Sequence, residues 1–231
     1  MNPVTKIGIF ISNRSRGKRA GIFRELFIIN PKTKILDLGS INGTNINAVL
    51  KGTRANPKNI YIADIDTKVI AEGQRLFGYT PVAIKESEPL PYPNGYFDIV
   101  FCSSVIEHVT VPKGSSWKTV SQKEFTSISQ KNQKKFASEI RRLGKQYFVQ
   151  TPYKYFPIES HTWLPFIAWL PRPALIMVLR FTNLFWPKKS SPEWYLLDKK
   201  EMQDLFPEAE IIFEKVLGFT KSIMAVYRNP Q

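Results

Sequence analysis

The chain has 231 residues, of which 43% are hydrophobic and 23% charged. That is enough for one substantial core at an ordinary globular composition, and it excludes a disordered or fibrous class. Lys and Arg number 33 against 19 Asp and Glu, a net charge of +14 that points to an anionic partner without choosing among nucleic acid, phosphorylated substrate and acidic lipid. Cys102 is the single cysteine, so no internal disulfide can form. The apolar stretch 7–11 is too short for a secretory signal, and the expected location is cytoplasmic, with peripheral membrane contact allowed.

Basic residues crowd the first part of the chain, from Arg14, Arg16, Lys18 and Arg19 to Arg24, Lys32 and Lys34. No aromatics are interleaved with them as on a single-strand stacking surface, so they read as a solvated basic face of a helix over 17–29. Ile- and Val-rich segments then alternate with segments of helical spacing, the pattern of an α/β domain around a mostly parallel sheet. Strands are expected at 34–38, 59–63, 82–85, 97–103 and 146–150, and helices at 43–52, 67–77, 104–109 and 122–143. Asp66 or Thr67 caps the helix at 67, and Gly144 stops the one at 122. Residues 210–215 and 221–227 read as an antiparallel hairpin at the sheet edge. Between the fifth strand and this hairpin, 153–206 is dense in aromatics and prolines and reads as an inserted cap within one domain spanning 1–231. Its prolines and Arg180 break the apolar run that a membrane-spanning helix needs.

Three elements carry a ligand signal. The first is the strand and turn Ile35-Leu36-Asp37-Leu38-Gly39-Ser40-Ile41-Asn42-Gly43, in which Gly39 permits a tight bend and Gly43 a close ligand approach. Asp37, a carboxylate on a buried strand, needs a partner, and a cationic ligand group is one candidate. The second is the run 60–66, where Asp64 stands at a strand end suited to ribose hydroxyls. These two alone would also describe a dinucleotide site. The third is Leu90-Pro91-Tyr92-Pro93 with Phe97-Asp98, followed by the strand 99–103 and by Val105-Ile106-Glu107-His108-Val109.

Together the three resemble the class I S-adenosylmethionine-dependent methyltransferases, particularly the small-molecule group, in order and spacing over about residues 20–152. The resemblance implies a Rossmann-like three-layer sandwich with a mostly parallel seven-stranded sheet and an antiparallel C-terminal strand. It implies S-adenosylmethionine as cofactor, with Asp37, Gly39, Ser40 and Gly43 around the methionine end, Asp64 on the ribose and Ile65 against the adenine. Glu86 and Ser87 would meet the adenine edge, and Ser103 would face the transferable methyl. The chain departs from the family at Ile41, which replaces the middle glycine of the turn.

Methyl transfer to a hydroxyl or protonated amine needs a base, and the chain has two histidines, His108 and His161. Glu107-His108 reads first as a local structural pair at a helix start. His161 is the preferred base, because Glu159 two residues earlier would point to the same side of an extended segment and support the imidazole. The alternative for His161 is capping a helix that begins near Trp163. With two histidines and no carboxylate cluster at ligand spacing, no metal site is expected. The acceptor reads as a small molecule or a lipid-linked compound, with the insertion's aromatics either roofing its pocket or, with Arg172, Arg180, Lys188 and Lys189, touching a membrane. Cys102-Ser103-Ser104 argues against an enzyme methylating base amines, and a non-catalytic cofactor binder remains an alternative. Nothing in the residues reports the oligomeric state.

Overall fold

In the computed structural model, residues 3–85, 88–112 and 114–229 are described. One seven-stranded sheet runs in the order β3-β2-β1-β4-β5-β7-β6. Its strands are β1 (Ile35–Leu38), β2 (Ile60–Asp64), β3 (Thr80–Ala83), β4 (Phe97–Ser103), β5 (Gly144–Pro152), β6 (Glu210–Val216) and β7 (Phe219–Tyr227). Strands β1 to β5 are parallel, whereas β7 runs antiparallel to both β5 and β6, so six strands share one direction.

Strand alternation sorts side chains between two cores. Ile35, Ile99, Phe101 and Phe148 pack on one face with Ala20 and Phe23 of α1 (Pro3–Leu26), Phe27 just after it, Ile46 and Val49 of α2 (Thr44–Leu50) and Ile70 of α3 (Thr67–Phe77). Leu36, Val100, Cys102, Tyr147 and Val149 point the other way, against α4 (Gln122–Leu143) and Met202 of α6 (Lys199–Leu205). The buried face of α4 includes Gln133, whose amide N–H groups donate to the carbonyls of Ile106 and Tyr195 while its Oε1 has no partner among the described residues.

Several elements match their sequence expectation to the residue, among them α3, capped by the Asp66 carboxylate, α4 and β4. Others differ. Helix α1 begins at residue 3, well before 17. The stretch 104–109 is a short 3-10 turn, Ile106–His108, after Ser104 at φ 59°. Gly144 caps α4 in extended conformation and opens β5; a Cβ there would meet the Gln146 carbonyl at 2.6 Å and Val100 at 2.8 Å, so close packing requires the glycine. No helix starts at Trp163: the insertion contains a 3-10 turn at Ile167–Trp169 and then α5 (Arg172–Thr182), which removes the capping role considered for His161. Among the described residues, no helix is long and apolar enough to cross a membrane.

Candidate active site

The strand order reverses between β1 and β4, and ligands of open α/β sheets sit at that switch point outside the carboxyl ends of the strands. A cavity of about 730 Å³ opens there, reached by Asp37, Gly39 and Ser40 from β1, Ser103 from β4 and Gln150 from β5. Gly39 and Gly43 both have φ 78°, and a Cβ on Gly39 would stand 2.5 Å from Val105. The bend therefore needs glycine both for its conformation and for its packing. Ile41 adopts φ 57°, the left-handed conformation that a glycine would take without strain, and its backbone N–H donates to Asp64 Oδ2 at 2.9 Å.

Asp37 is buried, with Oδ2 lacking a hydrogen-bond partner, and Ser40 Oγ is likewise buried and unpartnered. Burial raises the Asp37 pKa from 3.8 to about 7, with Ser40 opposing and the Asp64 charge adding to the rise. Orphaned polar atoms facing a cavity are what an ammonium-bearing ligand would satisfy, so the residues fit the methionine end of the nucleoside. Asp64 does not cap α3; besides Ile41 it accepts from the N–H of Asp66 at 3.0 Å, which ties the end of β2 to the glycine turn. Ile65 is 46% exposed, free to take a purine face, and Ser103 Oγ donates to Gln150 Oε1 at 2.7 Å at the cavity wall. Glu86 and Ser87 lie outside the described residues.

On the other side of the cavity stand His108 and His161, ring centroids 4.7 Å apart. His161 Nδ1 lies 2.5 Å from Glu159 Oε1. The pairing expected from spacing is present, but through a turn: the backbone N–H groups of His161 and Thr162 also converge on the Glu159 carboxylate. Burial pulls the His161 pKa down, yet Glu159, with Glu107 behind it, more than offsets this and holds it above its ordinary value. His108 is held below its ordinary value by burial and by the neighbouring His161.

Glu107 was read as a local structural residue, but it is buried and reaches further. Its Oε2 accepts from Thr151 Oγ1 on β5, and Oε1 lies 3.8 Å from His161 Nε2 without a hydrogen bond. Burial raises its pKa. Glu107, His108 and His161 bring ligand atoms within 4.8 Å of one another, a set that could hold a divalent ion and that their separation along the chain concealed. As the site stands, the imidazole of His161 is what faces the Glu107 carboxyl.

Sequence reasoning missed the contribution of α1. Ser12, Arg16 and Arg19 line the cavity, and Gly8 packs so closely on Trp163 that a Cβ would fall 2.7 Å from the indole. It also missed Lys221 and Ser222 of β7. The early cluster of basic residues was the available signal; the solvated-face reading fails for Arg19, which is tucked against Glu214, whereas Arg16 is exposed and also borders the cavity. Of the insertion's aromatics, Phe156 and Trp163 reach the cavity, whereas Phe166, Trp169, Phe181 and Phe185 are more than half exposed. Arg172 is not at the surface: it is buried, stacked on Phe125, and donates to the carbonyls of Ser116 and Thr119.

A glycine bend, an orphaned carboxylate and a histidine–glutamate pair thus surround one crevice at the switch point of an α/β sheet. Residues 36–147 match the family model described as Methyltransferase domain, and the sheet around them has the Rossmann-like arrangement of a class I S-adenosylmethionine-dependent methyltransferase. Similar solved structures include small RNA methyltransferase HEN1, at 14% identity and TM-score 0.54 over 95% of this chain and 25% of that one. Phosphoethanolamine N-methyltransferase 2 of Haemonchus contortus aligns at 12% identity and TM-score 0.52 over 85% of this chain and 38% of that one. A SAM-dependent methyltransferase from Aquifex aeolicus aligns over 98% of both chains at 13% identity and TM-score 0.49. At these identities the likeness is one of fold. No curated protein matches the sequence.

Proposed function

We propose that this methyltransferase acts on a hydroxyl of a small-molecule or lipid-linked acceptor, with His161 as the base and Glu159 orienting it. The observation that carries the reading is the single cavity bounded by Asp37, Gly39, Ser40 and Ser103 on one side and by His108 and His161 on the other. When bound, the nucleoside supplies an electrophilic sulfonium methyl. Asp37 and Ser40 would receive its ammonium end, and the family resemblance assigns Gly43 to the methionine end, Asp64 to the ribose and Ile65 to the adenine. Glu86 and Ser87 keep their proposed place at the adenine edge. His161 Nε2 takes the hydroxyl proton, and Glu159 steadies the imidazolium that forms. Residues 153–206 act as the cap on the acceptor side, shared with α1.

A membrane-surface contact has its own support. Met177, Phe181, Leu184 and Phe185, on and just after α5, are 63–79% exposed, and Arg180 and Lys189 flank them. That is an apolar face rimmed by cations, the pattern of an interfacial helix. It supports a location peripheral to a membrane and, with that, a lipid-linked acceptor.

Calorimetry with S-adenosylmethionine and S-adenosylhomocysteine, followed by turnover against a panel of hydroxyl, amine and carbon acceptors, tests the reading. Binding without turnover by any hydroxyl acceptor would sink the assignment of acceptor atom. Turnover undiminished in His161→Gln would sink the base.

A further inference from the structure

The wall of the cavity between α1 and the β6–β7 hairpin is cationic. Arg16, Arg19 and Lys221 all face it. Arg19 is fixed by Glu214 at 3.0 Å, and that same carboxylate oxygen accepts from Ser222, so this cation is compensated. Lys221 is different: its ammonium donates to Ser15 Oγ at 2.6 Å and, among the described residues, has no carboxylate within ion-pair distance. Arg16 has neither an ion pair nor a side-chain hydrogen bond among them. Lys188 stands nearby, 4.5 Å over the Trp163 ring, with the Ser160 carbonyl as its hydrogen-bond partner. Burial lowers the pKa of Lys221, and the charges of Arg19, Arg16 and Lys188 lower it further, outweighing Glu214. Half-buried Lys221 and exposed Arg16, like charges at one cavity wall without an ion-pair partner among the described residues, form a surface suited to an anion. The remaining surface beside them, Phe156, Ile158, Leu217 and Phe219, is apolar.

We propose that the acceptor is an amphiphilic oxyanion, its apolar body against Phe156, Ile158 and Leu217 and its phosphate or carboxylate held by Arg16 and Lys221. This rests on the methyltransferase reading of the cavity and adds the substrate class. The cations sit on α1 and β7, whereas the carboxylate suited to the nucleoside's ammonium, Asp37, sits at the end of β1. Opposite charges at separate walls of one cavity orient an anionic acceptor with its far end toward the cations.

The test uses the whole chain, loaded with S-adenosylhomocysteine, and decyl phosphate as probe, with decanoate and the neutral decyl glucoside beside it, followed by calorimetry and tryptophan fluorescence. Decyl phosphate or decanoate should bind at least about tenfold more tightly than decyl glucoside. Arg16→Gln and Lys221→Gln should each weaken that binding about tenfold to a hundredfold, as expected for loss of a charge-assisted hydrogen bond, with S-adenosylhomocysteine affinity unchanged. Equal binding of the neutral probe, or undiminished binding in both variants, overturns the proposal. A fall in S-adenosylhomocysteine affinity in either variant also overturns it, because the cation would then serve the cofactor's own carboxylate.

If the nucleoside fails to bind at all, the methyltransferase reading falls, and titration of the unloaded protein with decyl phosphate still decides the anion site. Arg16 is exposed, so its variant stays informative even if Lys221→Gln does not fold. Sedimentation with phosphatidylcholine vesicles, with and without phosphatidic acid, separates the sources. Retention on the acidic vesicles that falls in the two variants assigns the oxyanion to a membrane-held headgroup. Retention unchanged in them, while decyl phosphate binding falls, assigns it to a free amphiphile.

Discussion

Replacing Asp37 by Asn separates what the residue does for the fold from what it does for the ligand. In the free protein the carboxyl is fully buried, with one oxygen unpartnered, and its pKa is raised from 3.8 to about 7. At about 1.4 kcal/mol per pH unit, that difference of about 3 corresponds to roughly 4 kcal/mol by which folding disfavours the ionised form. A raised pKa means that the folded chain holds a proton the unfolded chain has released. Stability therefore falls as pH rises from about 4 to about 7, and the full penalty stands above 7. The neutral amide carries no such penalty, so Asp37→Asn should leave the unliganded protein more stable, and its advantage should grow by roughly 2–3 kcal/mol between about pH 5 and about pH 8. The same substitution should cost most of the affinity for S-adenosylhomocysteine, because the ammonium loses its counter-charge. Urea unfolding of both proteins at the two pH values, with calorimetry alongside, provides the check. A variant less stable than wild type at pH 8, or one that binds the nucleoside as tightly, would refute the reasoning.

His161→Gln should lower turnover by about 10²–10⁴-fold with little change in S-adenosylhomocysteine affinity, since the residue faces the acceptor side; steady-state kinetics and calorimetry together would tell. Because Glu159 holds the His161 pKa up, turnover should rise with pH along a limb centred above the ordinary histidine value. Glu159→Gln, which removes the counter-charge, should move that limb to lower pH, and a pH–rate profile reads the direction. Ile41 sits at φ 57°, where a β-branched residue is strained, so Ile41→Gly should raise stability by about 1 kcal/mol in thermal unfolding; a loss would show that the exposed side chain has a packing role. Changing Phe181 and Phe185 together to Ser should abolish sedimentation with acidic vesicles and leave S-adenosylhomocysteine binding intact, and unchanged sedimentation would remove α5 from the membrane contact.

Much of the nucleoside half was legible because it is local. The run from Ile35 to Gly43 contains both its strand and its bend, and Asp66 and Ser121 cap helices whose apolar spacing is unbroken, so α3 and α4 appear with their true ends. Helix α1 was legible only from its second half, where Phe23, followed beyond the helix by Phe27, enters the core. Its first half carries Gly8, Ser12 and Asn13, poor helix formers on propensity alone, and Gly8 is there because the Trp163 indole leaves no room for a Cβ. Tertiary contact overrides propensity in that stretch. The cationic wall was hidden for a related reason: Lys221 meets Ser15 across 206 residues of sequence, a pairing that no local pattern reports. In the insertion, prolines and irregular turns destroy the periodicity that would have sorted inward Phe156 and Trp163 from outward Phe181 and Phe185.

The two histidines show why proximity in space decides which group is the base. With rings 4.7 Å apart, a charge on one disfavours a charge on the other, so the pair should carry one proton in preference to two. Glu159 is within hydrogen-bonding distance of His161, and buried Glu107 lies on its far side, whereas the carboxylate nearest His108, Glu193, is 3.8 Å away and 46% exposed. Proton affinity is therefore driven up at His161 and down at His108. On the proposed reading, a proton taken from an acceptor hydroxyl by either imidazole would come to rest on His161, which has Glu159 and Glu107 on its two sides. The same asymmetry would make the acceptor side directional, drawing deprotonation toward His161 and the buried carboxyls behind it while Ser103 and Asp37 stand elsewhere on the cavity wall.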